Sequence, residues 1–117
     1  MIAGFVGREI MYVGVTGVRV NHSSAEYQRI FQLGEIYDIH MSVGEELNFA
    51  NLLIVEPGRA RFSQLHFEKE FHGGVNQNAI TITNGVMSAA ELTPVGHIIV
   101  RVMYQTTTHF SLWVEIH

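Results

Sequence analysis

The stretch His97-Ile98-Ile99-Val100-Arg101-Val102-Met103-Tyr104-Gln105-Thr106-Thr107-Thr108-His109-Phe110-Ser111-Leu112-Trp113-Val114-Glu115-Ile116-His117 decides the fold. Its even positions carry Ile98, Val100, Val102, Tyr104, Phe110, Leu112, Val114 and Ile116. The odd positions His97, Arg101, Gln105, His109, Ser111, Glu115 and His117 are polar. Alternation of period two marks extended chain with one face in a core and the other turned away. With Thr106–Thr108 as a loop, the segment folds back as a β-hairpin that pairs Ile98 with Ile116, Val100 with Val114, Val102 with Leu112 and Tyr104 with Phe110. Each such cross-strand pair stabilises a hairpin by about 0.2–1 kcal/mol.

Working outward, turn signals recur along the rest of the chain. Asn84-Gly85 follows alternating Ile80 and Ile82 and is a strong type I′ hairpin signal, because both central residues of that turn need positive φ. Glu56-Pro57-Gly58-Arg59 reads as a turn that brings Val55 against Ala60 and Leu53 against Phe62, with Glu56 beside Arg59. A change of parity near Ser63-Gln64 reads as a bulge, as does the switch at Thr16-Gly17 after Met11, Val13 and Val15. Tyr37, Ile39, Met41 and Val43 alternate as a strand. Residues 23–34 fit two patterns. Ser23-x-x-Glu26 with Tyr27, Ile30 and Phe31 fits a short helix closed by Gly34, whereas Tyr27, Arg29, Phe31 and Leu33 fit a strand. The helical turn is the preferred reading.

About eight short strands with no strand–helix alternation predict an all-β fold, an antiparallel β-sandwich of jelly-roll or immunoglobulin-like type with at most one short helix. At 117 residues the chain suits a single domain over 1–117. The run Met1-Ile2-Ala3-Gly4-Phe5-Val6 lacks the basic start of a signal peptide and the length of a membrane span, so residues 1–8 read as a docking arm. Synthesis in the cytoplasm is expected, with no membrane partner.

Apolar residues make up 47% of the chain and charged residues 15%, against a usual charged share of about 25%. So little charge leaves part of the surface suited to burial against other subunits. The net charge of −4 and singly scattered basic residues disfavour nucleic acid. No cysteine is present, which removes disulfides, thiolate metal sites and thiol nucleophiles.

Seven histidines are the first place to look for chemistry. In the expected hairpin His97 and His117 fall opposite each other and form the candidate metal pair, short of the three or four ligands a functional site brings. Pro94-Val95-Gly96-His97 echoes the second motif of cupin metal enzymes with altered spacing, and no His-x-His is present. The serines lack a Gly-x-Ser-x-Gly context, and the acids Glu45, Glu46, Glu68 and Glu70 suit solvated strand ends. No cofactor motif occurs.

The hairpin's outward face carries Ile99, Arg101, Met103 and Trp113, with Arg101 expected opposite Trp113. Interfaces favour Trp, Met and Arg, so these four are the candidate interface or ligand face. The expected partner is a second copy or a larger protein assembly, loosened near pH 6 if histidines line the contact. Carbohydrate binding, or a degenerate cupin-like metal enzyme, is the alternative. His72-Gly73-Gly74-Val75-Asn76-Gln77-Asn78, Thr81-Ile82-Thr83-Asn84-Gly85 and the apolar final hairpin together resemble the small all-β subunits of tailed-phage virions. That resemblance implies a non-catalytic structural or decoration role in a virion.

Overall fold

The computed structural model describes residues 13–117. The docking arm at 1–8 and the strand position Met11 lie outside the described residues. Among the described residues, ten strands form three sheets. The largest runs in the order β2 (Ile30–Leu33), β3 (Ile36–Met41), β10 (Thr107–Ile116), β9 (His97–Tyr104), β6 (His66–His72). A second sheet orders β4 (Glu46–Asn48), β8 (Val86–Ala89), β7 (Ile80–Thr83), and a third pairs β1 (Gly17–Val20) with β5 (Leu53–Glu56). The arrangement is sandwich-like and all-β, as the alternation predicts.

The core forms where the inner face of the large sheet meets the two smaller ones. Ile39, Met41, Ile98, Val100, Val102, Leu112, Val114 and Ile116 from the large sheet are buried in one cluster with Leu47, Ile80 and Met87 from the second, and with Val20 and Leu53 from the third. Each fully buried side chain of this size contributes about 1.5–3 kcal/mol. Phe49 bridges the layers, its ring 5.0 Å from that of Phe67. It begins α1 (Phe49–Leu52), the one short α-helix among the described residues, and the Asn48 side chain caps that helix by accepting from the Ala50 amide at 3.0 Å.

β9 and β10 form the expected hairpin, with a different register. Val114 pairs with Ile98, Leu112 with Val100, and Phe110 with Val102. Each partner is displaced by two residues from the sequence reading. The turn is tighter than a three-residue loop: Tyr104 pairs directly with Thr107, Gln105 takes φ of 55°, and the register shifts between Thr108 and Phe110. A displacement of two keeps every side chain on its face, because the side-chain period is two. The inward set therefore stays inward while each partner changes.

Five other readings are corrected. Residues 23–34 hold a 3₁₀ turn, Tyr27–Arg29, followed by β2, instead of a helix reaching Gly34. The β-branched and aromatic pair Ile30-Phe31 suits a strand, and Gly34 with φ of 63° serves the turn into β3. Ser24, not Ser23, accepts from the first turn, its Oγ taking the Tyr27 amide proton at 3.2 Å. Past Pro57 the chain does not return on β5, which pairs with β1 instead, Val55 against Val18 and Leu53 against Val20. Glu56 accordingly pairs with Arg19 at 3.0 Å instead of Arg59, and a 3₁₀ turn at Phe62–Gln64 stands where a bulge was expected.

The Asn84-Gly85 hairpin forms as read, with φ of 52° and 80° and Thr83 paired to Val86. β3 and β10 run parallel, while the other strand pairs are antiparallel. Gly96 lets the entry to β9 touch the exit of β6, since a Cβ there would fall on the His72 carbonyl. That contact sets His72 opposite His97.

Candidate functional site

The outer face of the large sheet gathers the exposed apolar and titratable side chains. Cross-strand partners share a face, so the registers trace one row over all five strands: Glu70, Ile99, Trp113, Asp38, Phe31. Charge sits at the β6 end and apolar surface at the β2 end. Phe31 is 66% exposed, Leu33 80%, Ile36 49% and Trp113 39%. Ile36 pairs with Leu33 across the β2–β3 hairpin, so three of these side chains form one stripe along the sheet's edge.

Two of the four expected face residues are covered within the chain. Ile99 and Met103 are buried, flanked in register by Glu70 and Trp113 and by His66 and Thr108 respectively. Arg101 lies opposite Ser111, not Trp113, and donates to Glu70 Oε1 at 2.6 Å. His97 takes the place expected for Arg101, stacking on the indole of Trp113 with centroids 4.7 Å apart and planes 5° from parallel. His72 stacks in turn on His97 at 4.8 Å and 11°. These spacings match the 4.7–4.9 Å separation of neighbouring strands, so the rings stand on edge in a ladder running from β6 to β10. Glu70 anchors the ladder's end by contacting both Arg101 and His72. The hydrogen bond from Arg101, then that from His72, holds the Glu70 carboxyl below its ordinary value of 4.5.

His97 and His117 do not meet. The shifted register sends His97 to His72 and Trp113, and the parallel neighbour β3 supplies His117 with a different partner, His40. His40 Nδ1 lies 3.0 Å from His117 Nε2, and Glu115 Oε1 stands 3.2 Å from His117 Nε2 and 3.9 Å from His40 Nδ1. The other His40 nitrogen, Nε2, is 3.2 Å from Asp38 Oδ2. Phe31 closes one side, edge-on to the His40 ring at 5.8 Å.

Sequence reasoning assigned no site role to Phe31, Leu33, Ile36, Asp38 or His40, and weighed His72 with His66 only as a cupin-like pair that does not rebuild the motif. The alternation of Tyr37, Ile39 and Met41 already set Asp38 and His40 on a shared outer face; what was missing was the identity of the neighbouring strand.

A cleft of about 560 Å³ is lined by Arg19, His22, Glu35, His109 and Ser111 among others. No described helix is long and apolar enough to cross a membrane. No protein-family model and no curated protein matches the chain.

Proposed function

We propose that this chain is a non-catalytic structural module that assembles with a second copy of itself through the β2 edge and the adjoining outer face. The observation that carries the reading is the edge itself. β2 is Ile-Phe-Gln-Leu, without a charge or proline, and among the described residues it pairs with β3 alone. An uncharged edge strand offers unpaired N–H and C=O groups as a template for another strand. Antiparallel pairing of β2 with β2 of a second copy is two-fold symmetric, so the same patch serves both partners. It joins the Phe31, Leu33 and Ile36 stripes of both copies into one apolar surface.

A carbohydrate shelf fits this face less well. Stacking on a sugar needs an open ring face, and Trp113 turns one of its faces to His97. The finer form of the reading, a subunit of a tailed-phage virion, draws its support from the loop and hairpin texture of 72–78 and 81–85.

Light scattering on untagged protein at micromolar concentration tests the proposal. The wild type is expected as a dimer or higher assembly and Leu33→Lys as a monomer. A strictly monomeric wild type overturns it.

A further inference from the structure

We propose that His40, Glu115 and His117 form a binding site for a divalent transition cation of zinc type on the outer face of the large sheet. Three ligand atoms of the kinds zinc takes, two imidazole nitrogens and a carboxylate oxygen, converge within 4.8 Å of one another. Zinc–nitrogen and zinc–oxygen bonds of about 2.0–2.2 Å in tetrahedral geometry set neighbouring ligand atoms about 3.3–3.6 Å apart. The separations here are 3.0, 3.2 and 3.9 Å. Small side-chain rotations bring all three onto one ion and leave its fourth position open to solvent, as in two-histidine, one-glutamate sites.

The arrangement around the ligands supports the assignment. With Nε2–H of His40 donating to Asp38 Oδ2, the Nδ1 lone pair faces the cluster. A carboxylate behind a metal-bound histidine commonly plays this part, fixing the tautomer and raising the basicity of the ligand nitrogen. In the metal-free arrangement the His117 Nε2 proton is then shared between His40 Nδ1 and Glu115 Oε1. A cation occupies that point once His117 adopts its other tautomer, with the proton on Nδ1.

Charge points the same way. Among the described residues, the ion pairs of Asp38 and Glu115 run only to His40 and His117, with no lysine or arginine among them. Asp38 Oδ1 is buried without a hydrogen-bond partner among the described residues. With neutral imidazoles the cluster carries two uncompensated negative charges, which a divalent ion offsets. The second histidine pair differs: the carboxylate beside His72 and His97 belongs to Glu70, which Arg101 already compensates.

Equilibrium dialysis of the untagged chain against zinc chloride, with cobalt(II) absorption as a second readout, tests the site. Binding of one zinc per chain and a tetrahedral cobalt spectrum are expected. His40→Ala and His117→Ala should each weaken zinc by more than about tenfold, and Asp38→Asn by about 10–100-fold, while His97→Ala and Leu33→Lys should leave it unchanged. Retention in Leu33→Lys separates this site from self-assembly, because that variant breaks the β2 edge alone. Absence of zinc binding, or binding that survives both His40→Ala and His117→Ala, overturns the proposal.

Discussion

The large sheet has two edges, and they are built on opposite rules. β6, His-Phe-Glu-Lys-Glu-Phe-His, sets three charges in succession at its centre, and Lys69 lies opposite the fully buried Val100, on the inward parity of an edge strand. Lys69 is itself exposed, and a lysine at such a position on an edge strand is a known means of blocking strand addition, because pairing there would bury the charge. β2 has no such device: all three residues after Ile30 are exposed, and two of them are Phe31 and Leu33. Among the described residues, one edge of the sheet is guarded and the other is left open. The two sides of a single sheet thus differ in how they present their backbone to another strand, and the proposed assembly uses the β2 side.

The most damaging way to break this comparison is to loosen the guarded edge from the sheet. Gly96→Ala places a Cβ against the His72 carbonyl oxygen and 2.6 Å from the Val75 side chain, so the junction must shift to admit it. Chemical denaturation should show a loss of at least about 2 kcal/mol, typical of overpacking at a tight contact. A loss under half that would mean the β6–β9 junction is pliable.

Exchanging the character of the edges sharpens it. Leu33→Lys gives β2 the guard that β6 has; self-association should weaken more than about tenfold, while stability stays within about 0.5 kcal/mol because Leu33 is exposed. The reverse change, Glu68→Thr with Lys69→Ile, strips the guard from β6. Sedimentation should then show species larger than those of the wild type, and unchanged sedimentation would deny the two charges their role.

The smallest expected effect concerns acid. Glu70 has its carboxyl held low by Arg101 and His72, so its ionised form is favoured in the folded chain. Its contribution is present above the unfolded carboxylate value near 4.5 and is lost as pH falls through the lower folded value. Glu70→Gln should therefore be less stable than wild type near neutrality and should lose less stability on acidification below that point. Parallel acid limbs for the two proteins would show that the Arg101 and His72 contacts carry no linkage.

How far the sequence could be read follows from the same physics. The inward and outward faces of 97–117 were legible because a register displacement of two does not change a side chain's face. The partners were not legible, since Gln105-Thr106 carries neither glycine nor asparagine to announce a two-residue turn. Arg101 was therefore set against Trp113, and His97 against His117. The Asn84-Gly85 turn, which has both signal residues, was read correctly. β2 was obscured by its length, since four residues cannot outweigh a helical pattern that begins at Tyr27. The His40–His117 cluster depends on parallel pairing between strands more than sixty residues apart, and period-two patterning carries no information about which strand lies alongside or in which direction. Local pattern fixes which face a residue takes; only the assembled sheet fixes its neighbour.

Amide hydrogen exchange at β2, measured at high and low protein concentration, tests the central claim most directly. The amides of 30–33 that do not bond to β3 should be protected in concentrated wild type, exposed on dilution, and exposed throughout in Leu33→Lys. Rapid exchange of those amides at every concentration in the wild type would contradict an open edge that closes on a second copy.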